Sequence, residues 1–374
     1  MMRADRNFFK KISQKIDING ISKLIVVTHI NSEVSIFLDA LSEKIEIAGI
    51  IPKSSARHLS EINKFKYFDA IFKISKKEII KKAVNLLKLV NKNVGNNSFA
   101  VMDMGGYFSY PYGQLFDFFN GKLVGIVEDT ENGHKKYEHV IKAIDIKKQI
   151  PVISVARSLL KDPEDSLVGE AIVFSAEAIL RKRRTLLIGK KSLVIGFGKI
   201  GSAICRSLLK RSLHVAILEI DPIRLASALS QGMHSGFKKD LLEDADLIFC
   251  ATGNKCLSLD DLEYFKNSSY LFCATSSDDE IKDCFRNLFI NKKTNDYVTE
   301  VKFKNKVIFI CNNGDPVNFL HGGVVGGFIR LVQAEMFVAL SHLKNSNLNS
   351  IHQVPMLDKQ LIAKNWITSY TNLM

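Results

Sequence analysis

The chain has 374 residues, of which 46% are hydrophobic and 24% charged, and its formal net charge is +13. This length and composition are typical of a globular protein with about two domains. No apolar run reaches the roughly 20 residues of a membrane span, and the basic N-terminus lacks the features of an export signal, so we expect a cytoplasmic protein. The lysines are dispersed apart from "RKRR" at 181–184, which favours solvated faces over a nucleic-acid interface.

The first half of the chain alternates short β-branched runs with helical patterns. From Lys23 onward the strand-like runs are LIVVTHI, IEIAGII, AIFKI, FAVMDM, LVGIVED and IPVISVA. Segments between them, such as EIIKKAVNLLKLV, carry apolar residues at helical spacing. Strands that alternate with helices predict a parallel α/β sheet.

A second series of strand-like runs begins at Ser192, with LVIGFG, VAILEID, ADLIFCATG, SYLFCAT and VIFICNNG. Between the two series, SLVGEAIVFSAEAILRKRRTLL predicts one long helix. After Asn318, GGVVGGFIRLVQAEMFVALSHL predicts an amphipathic helix with no strand downstream, which we expect to pack on the first domain. The predicted fold class is therefore α/β, with two Rossmann-like parallel-sheet domains.

A glycine fingerprint lies at the start of the second series. Gly196, Gly198 and Gly201 form GxGxxG between a strand and a helix, where they permit a tight turn, close approach to a pyrophosphate and close helix–strand packing. Glu219 is the acidic residue expected about 20 residues further on, where it can accept hydrogen bonds from ribose hydroxyls. This arrangement predicts a dinucleotide site that prefers NAD to NADP, with Lys199 and Ile200 also at the cofactor.

Several further segments resemble the S-adenosylhomocysteine hydrolase (adenosylhomocysteinase) family. The resemblance begins with EIDPI followed by an alanine-rich helix in 218–233, and extends over most of the chain in the same order. The other segments that carry it are GIVEDTENGHKKYE (125–138), IPVISVARSLLKDPEDSLVGEA (150–171), DPVNFLHGG (315–323) and, more weakly, THINSEVSIFLDAL (28–41).

The resemblance implies an NAD domain inserted in a discontinuous substrate domain. We therefore expect a substrate domain at 1–168, an NAD domain at 169–314 and a C-terminal segment at 315–374 that packs on the substrate domain. It also implies a homo-oligomer, a dimer or tetramer. The family's bound NAD oxidises a nucleoside 3′-hydroxyl to a ketone, the 5′ substituent is eliminated, water adds, and the ketone is reduced again, so no net oxidation occurs.

The resemblance also implies roles for individual residues. The candidate catalytic residues are Lys161, Asp165, His29 and Asp129. Lys161 and Asp165 match a Lys–x3–Asp pair at the 3′-hydroxyl, although KDPEDS is also a good helix start. Asp129 stands where the family has a glutamate. His29 matches a histidine of the family's substrate domain, but a single histidine after a strand is equally compatible with a structural role. Besides the fingerprint, the candidate cofactor-binding residues are Thr130, Arg224, Thr252, Gly253 and Asn318.

The chain departs from the family pattern at several positions. Met104 stands in place of an aspartate, Glu131 in place of a threonine, and Ser276 or Ser277 in place of a histidine. A Gly-His-Pro motif is replaced around Val325–Gly327, and the C-terminus lacks the family's Lys–Tyr tail, for which Lys364 and Tyr370 could substitute. We therefore expect a divergent enzyme acting on a nucleoside or related sugar other than S-adenosylhomocysteine.

Two alternatives stay open from the sequence. The chain could be an NAD-dependent dehydrogenase with net redox, such as the 2-hydroxyacid type, or a catalytically silent NAD-binding homologue. We expect no metal site, because the histidines do not cluster with cysteines or acids at ligand spacing.

Overall fold

The protein forms two compact units, made of Met1–Lys161 with Gly326–Met374, and of Asp162–Val325. The structure, a computed structural model, describes residues 2–18, 20–30, 32–53, 66–275, 277–289, 292, 295, 297–321, 325–346, 348 and 350–371. We refer to these units as unit 1 and unit 2. The unit boundaries follow residues 161 and 325, whereas the sequence analysis placed boundaries after 168 and 314.

The N-terminal part of unit 1 alternates strands and helices. Its helices are α1 (Met2–Ser13), α2 (Ser32–Ser42), α3 (Lys76–Lys81), α4 (Ala83–Val94), α5 (Tyr112–Phe119) and α6 (Glu131–Ala143). Its strands are β1 (Lys23–Thr28), β2 (Glu46–Pro52), β3 (Phe99–Asp103), β4 (Leu123–Glu128) and β5 (Val152–Ser154). A 3-10 turn at Leu159–Lys161 ends this part of the unit.

Unit 2 has the same alternation. Its α-helices are α7 (Asp162–Lys182), α8 (Lys199–Lys210), α9 (Pro222–Leu229), α10 (Lys238–Asp244), α11 (Ser277–Glu280) and α12 (Asp283–Arg286). Its strands are β6 (Lys191–Ile195), β7 (His214–Leu218), β8 (Leu247–Cys250), β9 (Tyr270–Cys273), β10 (Val298–Phe303) and β11 (Lys306–Cys311). The chain returns to unit 1 with α13 (Ile329–His342), β12 (Ile351–His352) and α14 (Met356–Tyr370).

Both sheets are parallel and doubly wound, as the alternation predicts. The strand order is β12-β5-β4-β3-β1-β2 in unit 1 and β10-β11-β9-β8-β6-β7 in unit 2. Among the described residues, all pairings between named strands are parallel except that of β10 with β11. Strands such as β3, buried at every residue, read as continuous apolar runs because helices cover both faces of the sheet. The order reverses next to β1 in unit 1 and next to β6 in unit 2, where ligands bind in doubly wound sheets.

The unit boundaries follow from how α7 packs. A Cβ on Gly169 of α7 would lie 2.4 Å from the Cβ of Ala203 on α8, so these helices pack backbone to backbone. The residues after β11 also pack on α7, where the His321 Nδ1 lies 3.0 Å from the Ser175 hydroxyl. These contacts place the whole of α7, and the chain as far as Val325, in unit 2.

Three sequence predictions of secondary structure differ from the structure. AIFKI is not a strand, because only Ile71 forms a bridge, to Ile50. The sequence analysis missed β10, which pairs antiparallel with β11. A strand does follow α13: Ile351–His352 pairs with β5, and a strand of two residues has no recognisable period. Among the described residues, none of the helices has the length and apolar character needed to span a bilayer.

Candidate functional site

The glycine fingerprint forms the turn between β6 and α8. Gly196 has φ +98°, and a Cβ on Gly201 would lie 1.9 Å from the Gly196 carbonyl oxygen, so both positions exclude a side chain. Gly198 caps α8, and a Cβ there would meet only Arg224 Nη1 at 3.8 Å. The middle glycine therefore leaves open space over a helix N-terminus, which is the environment that an anionic pyrophosphate requires.

Glu219 follows β7 and holds the fingerprint turn. Its carboxylate accepts hydrogen bonds from the backbone N–H of Phe197 at 2.6 Å, Ile220 at 2.8 Å and Asp221 at 2.9 Å. A carboxylate has about four acceptor positions, so one is left for a ribose hydroxyl. Glu219, the predicted ribose-binding residue, therefore also stabilises the turn through backbone hydrogen bonds. The spacing in the sequence did not indicate this structural role.

The three other residues predicted near the fingerprint have different surroundings. Ile200 packs on the apolar core of unit 2, and the Lys199 ammonium lies 2.9 Å from Asp162 and 3.8 Å from Asp165. Arg224 is exposed, forms a loose ion pair with Asp221 at 3.6 Å and faces the open side of Gly198. Of this set, Arg224 carries the positive charge best placed for a phosphate oxygen.

A second turn lies after β8, beside the fingerprint. The fully buried carboxylate of Glu280 accepts hydrogen bonds from the Thr252 N–H at 3.1 Å, the Thr252 hydroxyl at 2.9 Å and the Gly253 N–H at 3.0 Å. The Thr275 hydroxyl donates to the same carboxylate at 2.9 Å. Sequence reasoning missed Glu280, because DDEI gives no sign of which acid points inward. The side chains of Ser276 and Ser277 lie outside the described residues.

Asn318 lies in the 3-10 turn Val317–His321 and is 6% exposed. Its side-chain oxygen is buried and has no hydrogen-bond partner among the described residues. A buried acceptor without a donor is costly, so this atom calls for a ligand that donates. The carboxamide N–H of a nicotinamide would be such a donor, so this atom and the space over Gly198 are compatible with a bound NAD.

In unit 1, two predicted residues and one acid that was not predicted lie at the carboxyl ends of neighbouring strands. His29 follows β1, Asp103 ends β3 and Asp129 follows β4. The side-chain pKa of His29 lies well below its ordinary value because of burial and the nearby charge of Lys53. The His29 imidazole is therefore neutral at neutral pH, and burial and the Lys53 charge both oppose its protonation.

Lys161 and Asp129 form a buried ion pair. Lys161 Nζ lies 2.9 Å from Asp129 Oδ1, with side-chain exposures of 12% and 9%. Lys161 ends the 3-10 turn before α7, and Asp129 follows the buried strand β4, so both are fixed by the backbone. The resemblance pairs Lys161 with Asp165, which is 7% exposed and lies in the first turn of α7. Buried acids and bases of this kind are typical of proton-transfer sites.

Asp103 and Glu128 form a second buried acidic pair that the sequence analysis did not single out. Glu128 accepts hydrogen bonds from the N–H groups of Gly105 at 2.9 Å, Gly106 at 3.0 Å and Thr130 at 2.7 Å. The Thr130 hydroxyl also donates to Glu128 at 2.7 Å and accepts from the Gly133 N–H, which caps α6. Thr130, predicted at the cofactor, thus has a structural role in unit 1.

Burial and the neighbouring Asp103 raise the pKa of Glu128 to about 8, and burial raises that of Asp103. Because folded Glu128 keeps its proton above the ordinary value of 4.5, stability falls as the pH rises from about 4.5 to about 8. The Asp103→Asn variant removes the repulsion while an amide oxygen can still accept from the Phe108 N–H and the Tyr137 hydroxyl.

We expect the free energy of unfolding of the wild type to fall by about 1–2 kcal/mol more than that of Asp103→Asn between about pH 5.5 and pH 8.5. The single tryptophan, Trp366, lies in unit 1 and reports its urea unfolding by fluorescence. The exposed Asp117→Asn variant is the control. Equal pH dependence in all three proteins would contradict the assignment.

The C-terminal residues proposed to replace the family's tail lie in unit 1. The Tyr370 hydroxyl donates to Asp5, and its ring stacks on Trp366 at 4.8 Å. Asp5 is fully buried and also pairs with Arg330. Tyr370 is therefore part of a structural network of α1, α13 and α14, and Lys364 is exposed. Gly326–Phe328 form a 3-10 turn, and the Gly327 carbonyl accepts from Trp366 Nε1 at 2.8 Å.

Together the doubly wound sheet, the glycine turn and the orphaned Asn318 oxygen define unit 2 as a Rossmann-type nucleotide-binding domain. Residues 172–323 match the family model of the S-adenosyl-L-homocysteine hydrolase NAD-binding domain. Over 161 residues the chain is 28% identical to an adenosylhomocysteinase of Triticum aestivum. The chain therefore contains an NAD-binding domain of this kind and is a distant homologue of adenosylhomocysteinase.

The similarity is partial. The aligned residues cover 43% of this chain and 33% of the wheat protein, so the chain spans about a third of the length of that curated relative. The segments 28–41, 125–138 and 150–171, which carry the candidate catalytic residues, lie before the range matched by the family model.

Two solved structures have a similar fold. A putative D-3-phosphoglycerate dehydrogenase from Ralstonia solanacearum is 10% identical, with a TM-score of 0.53, and the match covers 87% of this chain and 96% of that one. A phosphoglycerate oxidoreductase from Vibrio cholerae O395 is also 10% identical, with a TM-score of 0.51 and coverage of 86% and 99%. At this identity the likeness concerns the fold: two parallel Rossmann-like sheets, as in the two-domain fold of 2-hydroxyacid dehydrogenases.

Proposed function

We propose that this chain is an NAD-dependent enzyme that oxidises a sugar hydroxyl of a nucleoside-like substrate and couples the oxidation to elimination or hydration. The observation that carries the proposal is the buried Lys161–Asp129 pair in a chain with an S-adenosylhomocysteine hydrolase-type NAD-binding domain. Bound NAD would accept the hydride of the carbinol carbon. In its neutral form Lys161 would take the hydroxyl proton and become an ammonium ion, which Asp129 orients and stabilises.

We propose a substrate other than S-adenosylhomocysteine. Met104 supplies a thioether where the family has a carboxylate, which removes a hydrogen-bond acceptor. Two positions after Asp129, Glu131 replaces a family threonine, and its carboxylate accepts hydrogen bonds from Arg157 at 2.7 to 3.2 Å in a bidentate ion pair. These changes alter the polar groups next to Asp129, so recognition of the sugar substituents differs while the proton-transfer pair is kept.

The cofactor preference is part of the same proposal. The carboxylate of Glu219 is fixed next to the fingerprint turn and repels a ribose 2′-phosphate, which favours NAD over NADP. We also propose a homo-oligomer, on the basis of the family resemblance alone. Size-exclusion chromatography with light scattering tests the oligomer, and a fluorescence titration with each dinucleotide tests the preference.

The test of the reaction is a panel of nucleosides and related sugars added to the protein loaded with NAD. We expect one class of substrate to produce reduced nicotinamide, followed by absorbance, in an amount limited to the bound cofactor. Consumption of added NAD together with substrate would instead identify a dehydrogenase with net redox. Tight NAD binding without reduction by any substrate would identify a catalytically silent homologue, and failure to bind NAD would overturn the proposal.

A further inference from the structure

A lysine lies at the edge of the unit 1 sheet where doubly wound folds bind their ligands. Lys53 directly follows β2, and its backbone N–H donates to the carbonyl oxygen of Thr28, the last residue of β1, at 2.9 Å. This hydrogen bond fixes the start of the Lys53 side chain at the carboxyl ends of the strands. The strand order reverses between β1 and β3 at this edge, so Lys53 lies beside the ligand-binding crevice of the sheet.

The Lys53 side chain reaches from the end of β2 to the turn after β3. Its Nζ would lie 3.6 Å from a Cβ on Gly105, and its Cε would lie 3.9 Å from the same position. Because β1 lies between β2 and β3, the side chain passes over the carboxyl end of β1, where His29 is located. The low pKa of His29, caused by burial and by the Lys53 charge, agrees with this position of the ammonium ion.

Gly105 leaves room for a ligand next to the Lys53 ammonium ion. The nearest described atoms to a Cβ there are those of Lys53 and Tyr107, at 3.6 to 3.9 Å. Gly105 has φ +105°, a conformation that strongly favours glycine, so the space stays open. The Gly105 carbonyl oxygen, which would repel an anion, accepts a hydrogen bond from Lys136 Nζ at 2.8 Å. The turn therefore presents two ammonium ions and no side chain of its own.

The acidic residues of unit 1 at this edge are neutralised by other means. Glu128 accepts hydrogen bonds from three backbone N–H groups, and burial and Asp103 raise its pKa to about 8, so Glu128 is uncharged at neutral pH. The charge of Lys136 acts on Asp103. Asp129 forms its ion pair with Lys161 at 2.9 Å. The space over Gly105 is thus suited to a negatively charged group.

We propose that Lys53 is a specificity-determining residue that binds an anionic group of the substrate, a phosphate or a carboxylate, over Gly105. This inference rests on the proposed function and names its substrate class, a nucleoside-like sugar with an anionic substituent. An ammonium ion forms a charge-assisted hydrogen bond to such a group, and in a partly buried crevice the attraction is stronger than in water. Met104, next to Gly105, brings an uncharged thioether, so its side chain does not repel the anion.

The test is a calorimetric titration of the NAD-loaded protein with adenosine 5′-monophosphate, adenosine 5′-carboxylate and adenosine. We expect the wild type to bind one of the two anions at least about tenfold more tightly than adenosine. Lys53→Met should lose this preference and keep its affinity for adenosine, whereas Lys53→Arg should retain the preference. The control is Lys88→Met, which changes an exposed lysine of α4 and should bind all three compounds as the wild type does.

The relative affinities of the two anions identify the group, and a preference for either over adenosine supports the proposal. Equal affinity for all three compounds, binding of none of them, or a preference that survives in Lys53→Met would overturn it. Lys53-dependent binding of an anion in a protein that reduces no nicotinamide would leave the anion site standing and refute the proposed oxidation. Reduction by an uncharged nucleoside with the same KM in wild type and Lys53→Met would keep the oxidation and overturn the anion site.

A second measurement detects the position of the charge without any reaction. NMR spectroscopy follows the titration of the His29 imidazole, whose signal is identified by its absence in His29→Gln. The pKa of His29 should rise in Lys53→Met, which removes a nearby positive charge, and it should rise in the wild type when the anionic compound binds. Adenosine, which has no charge, should leave it unchanged. The same His29 titration in wild type and Lys53→Met would place the ammonium ion elsewhere and refute the proposal.

Discussion

Gly201→Ala is expected to lower both the stability and the NAD affinity of the protein, whereas Gly198→Ala is expected to lower the NAD affinity alone. In Gly201→Ala the new Cβ would lie 1.9 Å from the Gly196 carbonyl oxygen, so the backbone of β6 and α8 must separate. We expect a loss of about 1–3 kcal/mol of unfolding free energy, and at least a tenfold loss of NAD affinity. Thermal unfolding followed by circular dichroism measures the first, and a fluorescence titration with NAD the second.

Gly198→Ala is the matched variant. Its φ of −72° suits alanine, and the Cβ meets only Arg224 Nη1 at 3.8 Å, so the unliganded protein should keep its stability within about 0.5 kcal/mol. NAD affinity should still fall at least tenfold, because the methyl group occupies the space where the pyrophosphate approaches. Unchanged affinity in Gly198→Ala would place the dinucleotide elsewhere and refute the cofactor site.

Lys161→Met is expected to lower both stability and activity. The methionine keeps the length of the side chain but leaves the Asp129 carboxylate buried without its cation, which costs about 3–5 kcal/mol. The rate of nicotinamide reduction should fall by about 10²- to 10⁴-fold, the usual contribution of a proton-transfer group. The comparison is Lys148→Ala, which breaks an ion pair with Asp117 whose side chains are 50% and 58% exposed and should leave the stability almost unchanged, because solvent screens such a pair.

The double variant Lys161→Met with Asp129→Asn separates stability from catalysis. Replacing both partners removes the uncompensated charge, so most of the stability should return, as Trp366 fluorescence during urea unfolding would show. Activity should stay at the level of Lys161→Met. If activity returned along with stability, Lys161 would have only a structural role.

The sequence predicted the cofactor half of this protein more completely than the catalytic half. The fingerprint glycines depend on residues only a few positions away in the sequence. Gly196, Gly198 and Gly201 form the turn between β6 and α8, as predicted. The partners of buried charges, by contrast, are separated by many residues. Lys161 contacts Asp129, 32 positions away, and no local pattern in the sequence indicated that pairing.

The long separation between buried charges and their partners also explains why three acidic residues were not predicted. Glu280, Glu128 and Glu335 are all fully buried carboxylates. From the sequence alone, an acidic residue in a helix or at a strand end is predicted to be exposed to solvent. Only the packing of the surrounding elements excludes water from these acids. Glu280 and Glu128 then hold backbone turns by accepting hydrogen bonds, and Glu335 pairs with Lys359 at 3.7 Å.

The sequence by itself determined the α/β class, the two sheets and the nucleotide-binding turn, because these depend on hydrophobic period and on glycines a few residues apart. The tertiary structure decided which acids face which cations and where the units divide. It did so because α7 packs on α8, and because α13 returns to pack on β4 while α14 packs on α13 and α1, which buries Glu335 and Lys359. Burial and pairing over long separations are properties of the packed chain and leave no local pattern.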